Sequence, residues 1–432
     1  MRTRLRVDDH RYLIDFFEYD SEHLSSDLFI STVETSSDSW QEIVEKRCNQ
    51  DPYTHNGTSI FPLFHFMLLF DSQQSAERIF HLILFANHCV SDGRSGYVLL
   101  NDFLTLATDS NLCQAYEPCN NEILPFIGEL IPRANGLFYP LLSFIVKRLI
   151  KRQLRQEAQT RIAVKTIPHL DCGPSSFGVQ RYKTKFLFAS SSSDLYSNLY
   201  RQCRSQEVTL NGPLFGCLLL AVHHCFPLDN ETRLKPFEIG VAFNMRSRLP
   251  RSALTSSSVG YYVSGSGVKL DQSLPIQSTP FWSMARQCMT NTRKQARLSS
   301  VSFTMGILDD LFQRQRDFDR LTRFFPEGRQ AELAFSNVGK YPYSCEFNKG
   351  EIRLRGLHII NNASLYRVST TIFVTCAGDG QLDFSMAHEM ESEDKAKEFL
   401  DYFVRLVETC ANEKYCKTET TLGQLLKSVQ LH

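Results

Sequence analysis

The stretch HLILFANHCVSDGRSGYVLLNDFL, from His81 to Leu104, contains the most informative pattern in the sequence. Its first part, residues 81–86, is a short apolar run rich in strand-forming side chains. A polar break follows at 87–93, and apolar residues then recur at helical spacing from about Ser95. The pattern predicts a strand, a turn and an amphipathic helix. The imidazole of His88 is therefore expected at the mouth of the strand, where a rigid scaffold holds it toward a cleft.

The residues His88-Cys89-Val90-Ser91-Asp92-Gly93 match the HxxxDG signature of the CoA-dependent acyltransferase superfamily. That group includes chloramphenicol acetyltransferases, plant acyltransferases, alcohol acetyltransferases and the condensation domains of peptide synthetases. The stretch that follows, GYVLLND at 96–102, most resembles the alcohol acetyltransferase and phthiocerol dimycocerosyl transferase branch. The resemblance implies an α/β fold of mixed sheets, built as a two-lobed pseudo-dimer like chloramphenicol acetyltransferase, with the active site between the lobes.

The resemblance implies distinct roles for the three fixed residues of this signature. His88 is the expected general base, because histidine is the one side chain whose unperturbed pKa lies close to pH 7. Asp92 is expected to be structural and to pair with an arginine, and Gly93 gives the turn its conformational freedom. The alternative is that His88 is an ordinary histidine at a strand end. The family often carries a second histidine just before the base, and Asn87 stands there in this sequence.

Two further stretches resemble elements of the same family. Asn244-Met245-Arg246-Ser247-Arg248 is similar to an NxRxR-like element, which makes Arg246 the expected partner of Asp92. The alternative for Arg246 is a solvated charge at a strand end. The run 336–339, Ser-Asn-Val-Gly, matches an SNxG element that the family places opposite the base. The oxyanion of the reaction needs preset donors, and Ser336 or Asn337 are the candidates.

Length and composition limit the possible classes of protein. The chain has 432 residues, which suits two domains, and 47 basic residues balance 47 acidic ones, which argues against nucleic acid as a partner. Thirteen cysteines without a CxxC pair indicate reduced thiols in a cytoplasmic protein, and zinc-ligand spacing is absent. The charged N-terminus lacks the apolar core of a signal peptide, and no run of eighteen apolar residues predicts a transmembrane segment.

The domain prediction places an N-terminal acyltransferase lobe at 1–160, a linker at 161–179 and a C-terminal lobe at 180–432. In the family, the segment resembling RTRLRVDDHRYLIDFFE follows an opening strand and helix, which this sequence lacks. Three explanations are open: the true start codon lies upstream of Met1, another element of the lobe replaces the missing strand and helix, or a partner protein covers their place. We favour a start codon upstream.

Other elements follow from local patterns. The sequence predicts a hairpin whose second strand leads to His88, a helix capped by Ser192 or Ser193, and a late hairpin turning at 378–380. It also predicts the following elements: an extended run near 12–17, a helix around Trp40, strands at 61–70, 180–189, 237–243 and 333–335, and helices opened by Thr209 and spanning 281–298 and 393–411.

The segment 136–155 combines an apolar run with a basic one. One interpretation is a helix lying on a membrane surface. The other is a helix that covers the N-terminal lobe and has a solvated basic end. The sequence favours the second interpretation.

Taken together, the resemblance predicts an enzyme that moves an acyl group from acyl-CoA, as co-substrate, to a hydroxyl or amine of a small molecule. We expect no bound cofactor, no metal and a monomer, and the cysteines indicate the cytoplasm. Two alternatives are a catalytically silent binding or scaffold protein and a peptide-synthetase-type condensation enzyme. An intact His88–Asp92 pair argues against the first, and the lack of adjoining carrier or adenylation segments argues against the second. Acyl chain length and acceptor identity are not indicated.

Overall fold

The protein forms two compact units, one made of residues 1–127 with 251–262 and the other of 128–250 with 263–432. The computed structural model describes the following residues within them: 3–8, 13–18, 30–34, 40–49, 61–62, 64–70, 79–88, 90–109, 124–125, 127–131, 144–145, 148–149, 152, 167–168, 184–227, 232–249, 254–297, 301, 331–362 and 368–430.

The first unit contains two three-stranded sheets among its described residues. One has the order β2-β1-β4, with both pairings antiparallel, and the other has the order β3-β5-β6, in which β3 runs parallel to β5 and β5 antiparallel to β6. Their elements are β1 (Thr3–Asp8), β2 (Leu13–Glu18), β3 (Ile30–Glu34), α1 (Trp40–Cys48), β4 (Phe61–Pro62), β5 (Phe64–Phe70), β6 (Phe80–Ala86) and α2 (Gly93–Thr108), followed at the unit's boundary by α3 (Ile127–Leu130).

Helix α2 packs on the strands that lead to the predicted catalytic turn. The rings of Phe66 in β5 and Phe103 in α2 stack with centroids 4.4 Å apart, and Tyr97 and Val98 are buried. Pairing of β5 with β6 is continuous from Phe64↔Ala86 to Phe70↔Phe80. The predicted strand, turn and helix around His88 are therefore confirmed, with the helix starting two residues earlier than expected.

The second unit is built on a six-stranded mixed sheet of order β10-β9-β12-β15-β16-β7. The central strand β12 runs parallel to both β9 and β15. The other three pairs, β10 with β9, β15 with β16 and β16 with β7, are antiparallel. The elements are β7 (Lys185–Ser190), α4 (Leu195–Ser205), α5 (Asn211–Cys225), β8 (Arg233–Leu234), β9 (Ile239–Asn244), β10 (Val263–Val268), β11 (Leu274–Pro275), α6 (Phe281–Gln295), β12 (Ala331–Lys340), β13 (Glu346–Phe347), β14 (Ile352–Arg353), β15 (Val368–Ala377), β16 (Gln381–His388), α7 (Glu393–Ala411) and α8 (Leu422–Gln430).

The core of this unit lies between the sheet and helices α4 to α7, and α5 is buried along nearly its whole length. Strands β15 and β16 are joined at 378–380, where Gly378 and Gly380 have positive φ values of 57° and 94° that favour glycine. The predicted hairpin at this turn is confirmed. Mixed sheets flanked by helices confirm the predicted α/β fold class.

The close approach of α5 to α6 depends on a glycine. A Cβ added at Gly212 would lie 2.6 Å from the carbonyl oxygen of Ala285, a backbone atom that cannot rotate away. We therefore expect Gly212→Ala to lower the free energy of unfolding by about 1–3 kcal/mol, measured by denaturant unfolding. Gly216→Ala is the matched control, because its nearest atom is the flexible Met284 Cε at 3.1 Å. Equal stability of the Gly212 variant and the wild type would contradict this view of the helix packing.

The division into units differs from the predicted domains in two segments. The described residues between 128 and 160 were predicted in the N-terminal lobe at 1–160, whereas they belong to the second unit. Residues 251–262 were assigned to the C-terminal lobe at 180–432, whereas their contacts place them with the first unit. Hydrogen bonds from the backbone amides of Gly260 and Tyr262 to Ser95 and Asp92 hold this segment there, as described below. The predicted linker at 161–179 lies outside the described residues except for 167–168.

Within the part of the chain that the structure describes, none of the helices combines the length and apolar character needed to span a bilayer.

Candidate active site

His88 lies in the turn between the end of β6 and the start of α2. A hydrogen bond from the amide of Val90 to the carbonyl oxygen of Asn87, 3.2 Å long, closes this turn. Val90 also packs against Phe64, which belongs to β5 and is buried. The turn is thus anchored both by its backbone and by an apolar side chain, so the imidazole is carried by a rigid element.

The hydrogen bond of the imidazole defines which nitrogen carries the proton. Nδ1 of His88 lies 2.5 Å from the carbonyl oxygen of Ser91. A carbonyl oxygen can only accept a hydrogen bond, so Nδ1 must donate one. In the neutral ring the proton is then on Nδ1, and Nε2 is the nitrogen with a lone pair. This is the tautomer in which Nε2 can take a proton from another molecule.

Burial lowers the pKa of His88 below its ordinary value of 6.5, because the charged imidazolium loses hydration. The Ser91 carbonyl and the negative charge of Asp92 act in the opposite direction and offset part of this effect. The net result is a histidine that is neutral at pH 7 and therefore in its basic form.

Asp92 caps the N-terminus of α2 and is almost fully buried. Its Oδ1 accepts hydrogen bonds from the backbone amide of Ser95 at 2.9 Å and from the Ser95 hydroxyl at 3.0 Å. Its Oδ2 accepts a hydrogen bond from the backbone amide of Tyr262 at 2.9 Å. The carboxylate thus joins the start of α2 to a segment 170 residues further along the chain.

Ser95 makes a second link to the same segment. Its hydroxyl oxygen accepts from the amide of Gly260 at 2.9 Å and lies 2.8 Å from the carbonyl oxygen of Gly260, which shares the single hydroxyl proton with Asp92 Oδ1. The Tyr262 hydroxyl in turn donates to the carbonyl oxygen of Pro125 at 3.1 Å. We call this set of contacts, made by Asp92 and Ser95 to Gly260 and Tyr262, the clasp.

The clasp presents an aromatic ring to the predicted base. Tyr261 lies between the two clasped residues, and its ring meets the His88 imidazole edge-on, with centroids 5.2 Å apart and an interplanar angle of 76°. Burial, with a smaller contribution from Asp92, raises the pKa of the Tyr261 phenol above its usual value of 10.0, which keeps it neutral near pH 7. The ring restricts the orientation of the imidazole through contact and carries no charge.

The other predicted site residues belong to the second unit. Ser336 and Asn337 are half-buried on β12, where the Asn337 amide donates to Asn211 Oδ1 at 2.6 Å and its oxygen accepts from the amide of Gly339 at 3.1 Å. Arg246 is buried in a 3₁₀ turn after β9 and bonds to the Asn244 side chain. The roles of Ser336 and Asn337 as oxyanion donors, and the pairing of Arg246 with Asp92, stay predictions.

Sequence reasoning did not find the clasp. The sequence predicts an arginine beside Asp92, and it gives no sign that residues 260–262 bond to Asp92 and Ser95. Residues 261 and 262 directly precede β10 and belong to no helix or strand. Among the described residues, no group of three or more histidine, cysteine or acidic side chains is arranged to hold a metal ion.

Comparison with known proteins gives a family match over most of the chain. The sequence profile of the alcohol acetyltransferase family matches residues 52–410. No curated protein matches the chain.

Solved structures share the fold at low sequence identity. The chain is similar to the first condensation domain of the CDA synthetase, with a TM-score of 0.56 and 10% identity over 98% of this chain and 85% of that one. It is also similar to the condensation domain from Monacolin K polyketide synthase MokA, with a TM-score of 0.55 and 10% identity over 98% of this chain and 86% of that one. The epimerization domain from the third module of tyrocidine synthetase B has a TM-score of 0.52 and 14% identity over 95% of this chain and 85% of that one. These likenesses confirm the predicted condensation-domain type of fold.

Proposed function

The chain belongs to the alcohol acetyltransferase family, and we propose that it transfers an acyl group from a CoA-type thioester to the hydroxyl of a small alcohol. Family membership supports acyl transfer as the class of reaction. The thioester donor, the hydroxyl acceptor and the base are the finer parts of the proposal. The observation that carries it is the hydrogen bond from His88 Nδ1 to the Ser91 carbonyl, which leaves Nε2 as the basic nitrogen.

In the proposed mechanism, Nε2 of His88 removes the proton of the acceptor hydroxyl as its oxygen attacks the thioester carbonyl carbon. A C–O bond forms and the carbonyl electrons move onto oxygen, giving a tetrahedral intermediate. When this intermediate collapses, the C–S bond breaks. The imidazolium then returns its proton to the departing CoA thiolate, so the base is regenerated.

The environment of His88 fits this role in three ways. The lowered pKa keeps the ring neutral before the reaction, so no proton must leave first. The Ser91 carbonyl and the Asp92 charge then stabilise the imidazolium that forms during it. Tyr261 restricts the ring orientation in both states.

The proposed function is tested with purified protein and a panel of acyl-CoAs from acetyl to long-chain, each offered primary alcohols and amines. The proposal expects thiol release that depends on the alcohol and is matched by one ester per thiol. Release matched by amide with amines, but not with alcohols, would favour the condensation type of reaction instead. Binding of substrate without product by the folded protein would favour a catalytically silent protein.

The pH profile of the reaction gives a specific prediction. Because only neutral His88 can act as the base, kcat/KM should fall at low pH as the ring becomes protonated. The pKa of His88 is lowered, so the midpoint of this fall should lie below 6.5, and activity should be level across pH 7. Initial rates measured from acid to neutral pH with a fixed acyl-CoA check this. A midpoint above 6.5 would show that the ring is not buried as described.

A further inference from the structure

A short stretch of the second unit exposes large apolar side chains beside basic ones. Residues 144–145, 148–149 and 152 are helical, and all five side chains are exposed. Phe144 is 58% exposed, Ile145 46% and Leu149 57%. The guanidinium carbon of Arg148 lies 5.6 Å from the centre of the Phe144 ring. We call Phe144, Ile145, Arg148, Leu149 and Arg152 the basic–apolar patch.

The five helical residues have the spacing of positions on one side of a helix. At 3.6 residues per turn, positions 144, 145, 148, 149 and 152 fall within an arc of about 140°. Three of the eight exposed large apolar side chains among the described residues lie in the six positions 144–149. Such a concentration of exposed apolar area is typical of an interaction surface, whereas scattered single residues are not.

The sequence that contains the patch carries charge of one sign. Between Leu130 and Gln156 the sequence has six basic residues and no acidic one, although the whole chain has a formal net charge of zero. The partner that matches this surface therefore combines negative charge with an apolar interior. A bilayer of anionic phospholipids has both properties, with phosphates at the surface and acyl chains just beneath.

We propose that the basic–apolar patch binds the surface of an anionic membrane. Phe144, Ile145 and Leu149 enter the boundary between headgroups and acyl chains, while the guanidinium groups of Arg148 and Arg152 contact lipid phosphates. The arrangement lies along the surface and does not cross it. The helix that covers the N-terminal lobe, which the sequence favours, does not explain why the described apolar side chains face solvent.

The test is co-sedimentation of the full chain with vesicles. Vesicles of phosphatidylcholine are compared with vesicles that also contain about 30 mol% phosphatidylserine. We expect binding to the anionic vesicles, loss of most of it on raising NaCl from about 0.1 M to about 1 M, and little binding to phosphatidylcholine alone.

Two double variants separate the contributions of charge and apolar area. Arg148→Gln with Arg152→Gln should weaken partitioning roughly 25-fold, since each basic side chain at an anionic surface contributes about fivefold. Ile145→Ser with Leu149→Ser should weaken it at least about tenfold. Matched controls are Arg201→Gln with Arg204→Gln, an exposed pair on α4, and Ile352→Ser, another exposed apolar residue. The controls should bind as the wild type does.

Each contrary outcome overturns the proposal. Wild-type protein that stays in the supernatant with anionic vesicles shows that the patch does not bind lipid. Binding that the patch variants retain shows that another surface is responsible. A concentration-dependent dimer that the patch variants abolish, without vesicle binding, would assign the patch to a second copy of the chain. Thermal melting of every variant checks that the fold is intact, and none of these residues is part of the catalytic proposal.

Discussion

Replacing His88 with alanine is expected to lower kcat by at least about 10²-fold, the usual effect of removing a general base. The unfolding temperature should change little, because the ring is only partly buried in a turn that Val90 and the backbone hold independently. Activity with acyl-CoA and alcohol, measured by thiol release, and thermal unfolding together provide the measurement.

A second variant distinguishes the role of His88 as a base from its role as the hydrogen-bond donor to the Ser91 carbonyl. His88→Gln can still donate to the Ser91 carbonyl but cannot accept a proton near pH 7, so it should be as inactive as the alanine variant. His224→Gln is the control, because burial also lowers the pKa of that histidine in α5, outside the candidate site. Near-normal kcat in either His88 variant would exclude His88 as the base.

Asp92→Ala should have the largest effect on stability, lowering the free energy of unfolding by about 2–4 kcal/mol. The variant removes the N-cap of α2 and leaves the buried amide of Tyr262 without its acceptor. It should also lower kcat, because the backbone that carries Tyr261 beside His88 is released. Denaturant unfolding and the thiol-release assay measure the two effects.

Ser95→Ala is the matched comparison for Asp92→Ala. It removes the hydroxyl contacts to Gly260 but keeps the backbone amide that Asp92 caps, so its loss of stability should be smaller. If Asp92→Ala were no less stable than Ser95→Ala, the clasp would not be organised around the carboxylate.

Local patterns in the sequence predicted most of the elements around the candidate site. The apolar run at 81–86, the polar break and the helical spacing after Ser95 correspond to β6, the turn and α2. These signals are local, because each depends on the period of side chains within one element. The family was also predicted from residues 88–102 and is confirmed by the match over 52–410.

The clasp could not be predicted because Gly260 and Tyr262 take part in it through their backbone amides and, for Gly260, its carbonyl oxygen. Every residue except proline has such an amide, so the identities of Gly260 and Tyr262 do not reveal that they bond to Ser95 and Asp92. The sequence separation of 170 residues between Asp92 and Tyr262 adds to this. The same contacts explain why residues 251–262 belong to the first unit, against the predicted domain boundary.

Two smaller differences have local causes. The predicted cap of α4 was Ser192 or Ser193, whereas Asp194 occupies that position with φ 68° and makes no side-chain capping bond. Helix α8 was not predicted, although Leu422, Leu425 and Val429 are buried at helical spacing. The short length of that helix gives few repeats from which to recognise the period.

The central claim is that His88 is neutral at pH 7 with its proton on Nδ1, so that Nε2 is the base. Nitrogen-15 NMR of protein labelled in histidine measures this directly, with the His88→Gln spectrum identifying the signals of His88. We expect a protonated Nδ1 and an unprotonated Nε2 at pH 7, with a titration midpoint below 6.5. A proton on Nε2 of the neutral ring, or a ring that is charged at pH 7, would contradict it.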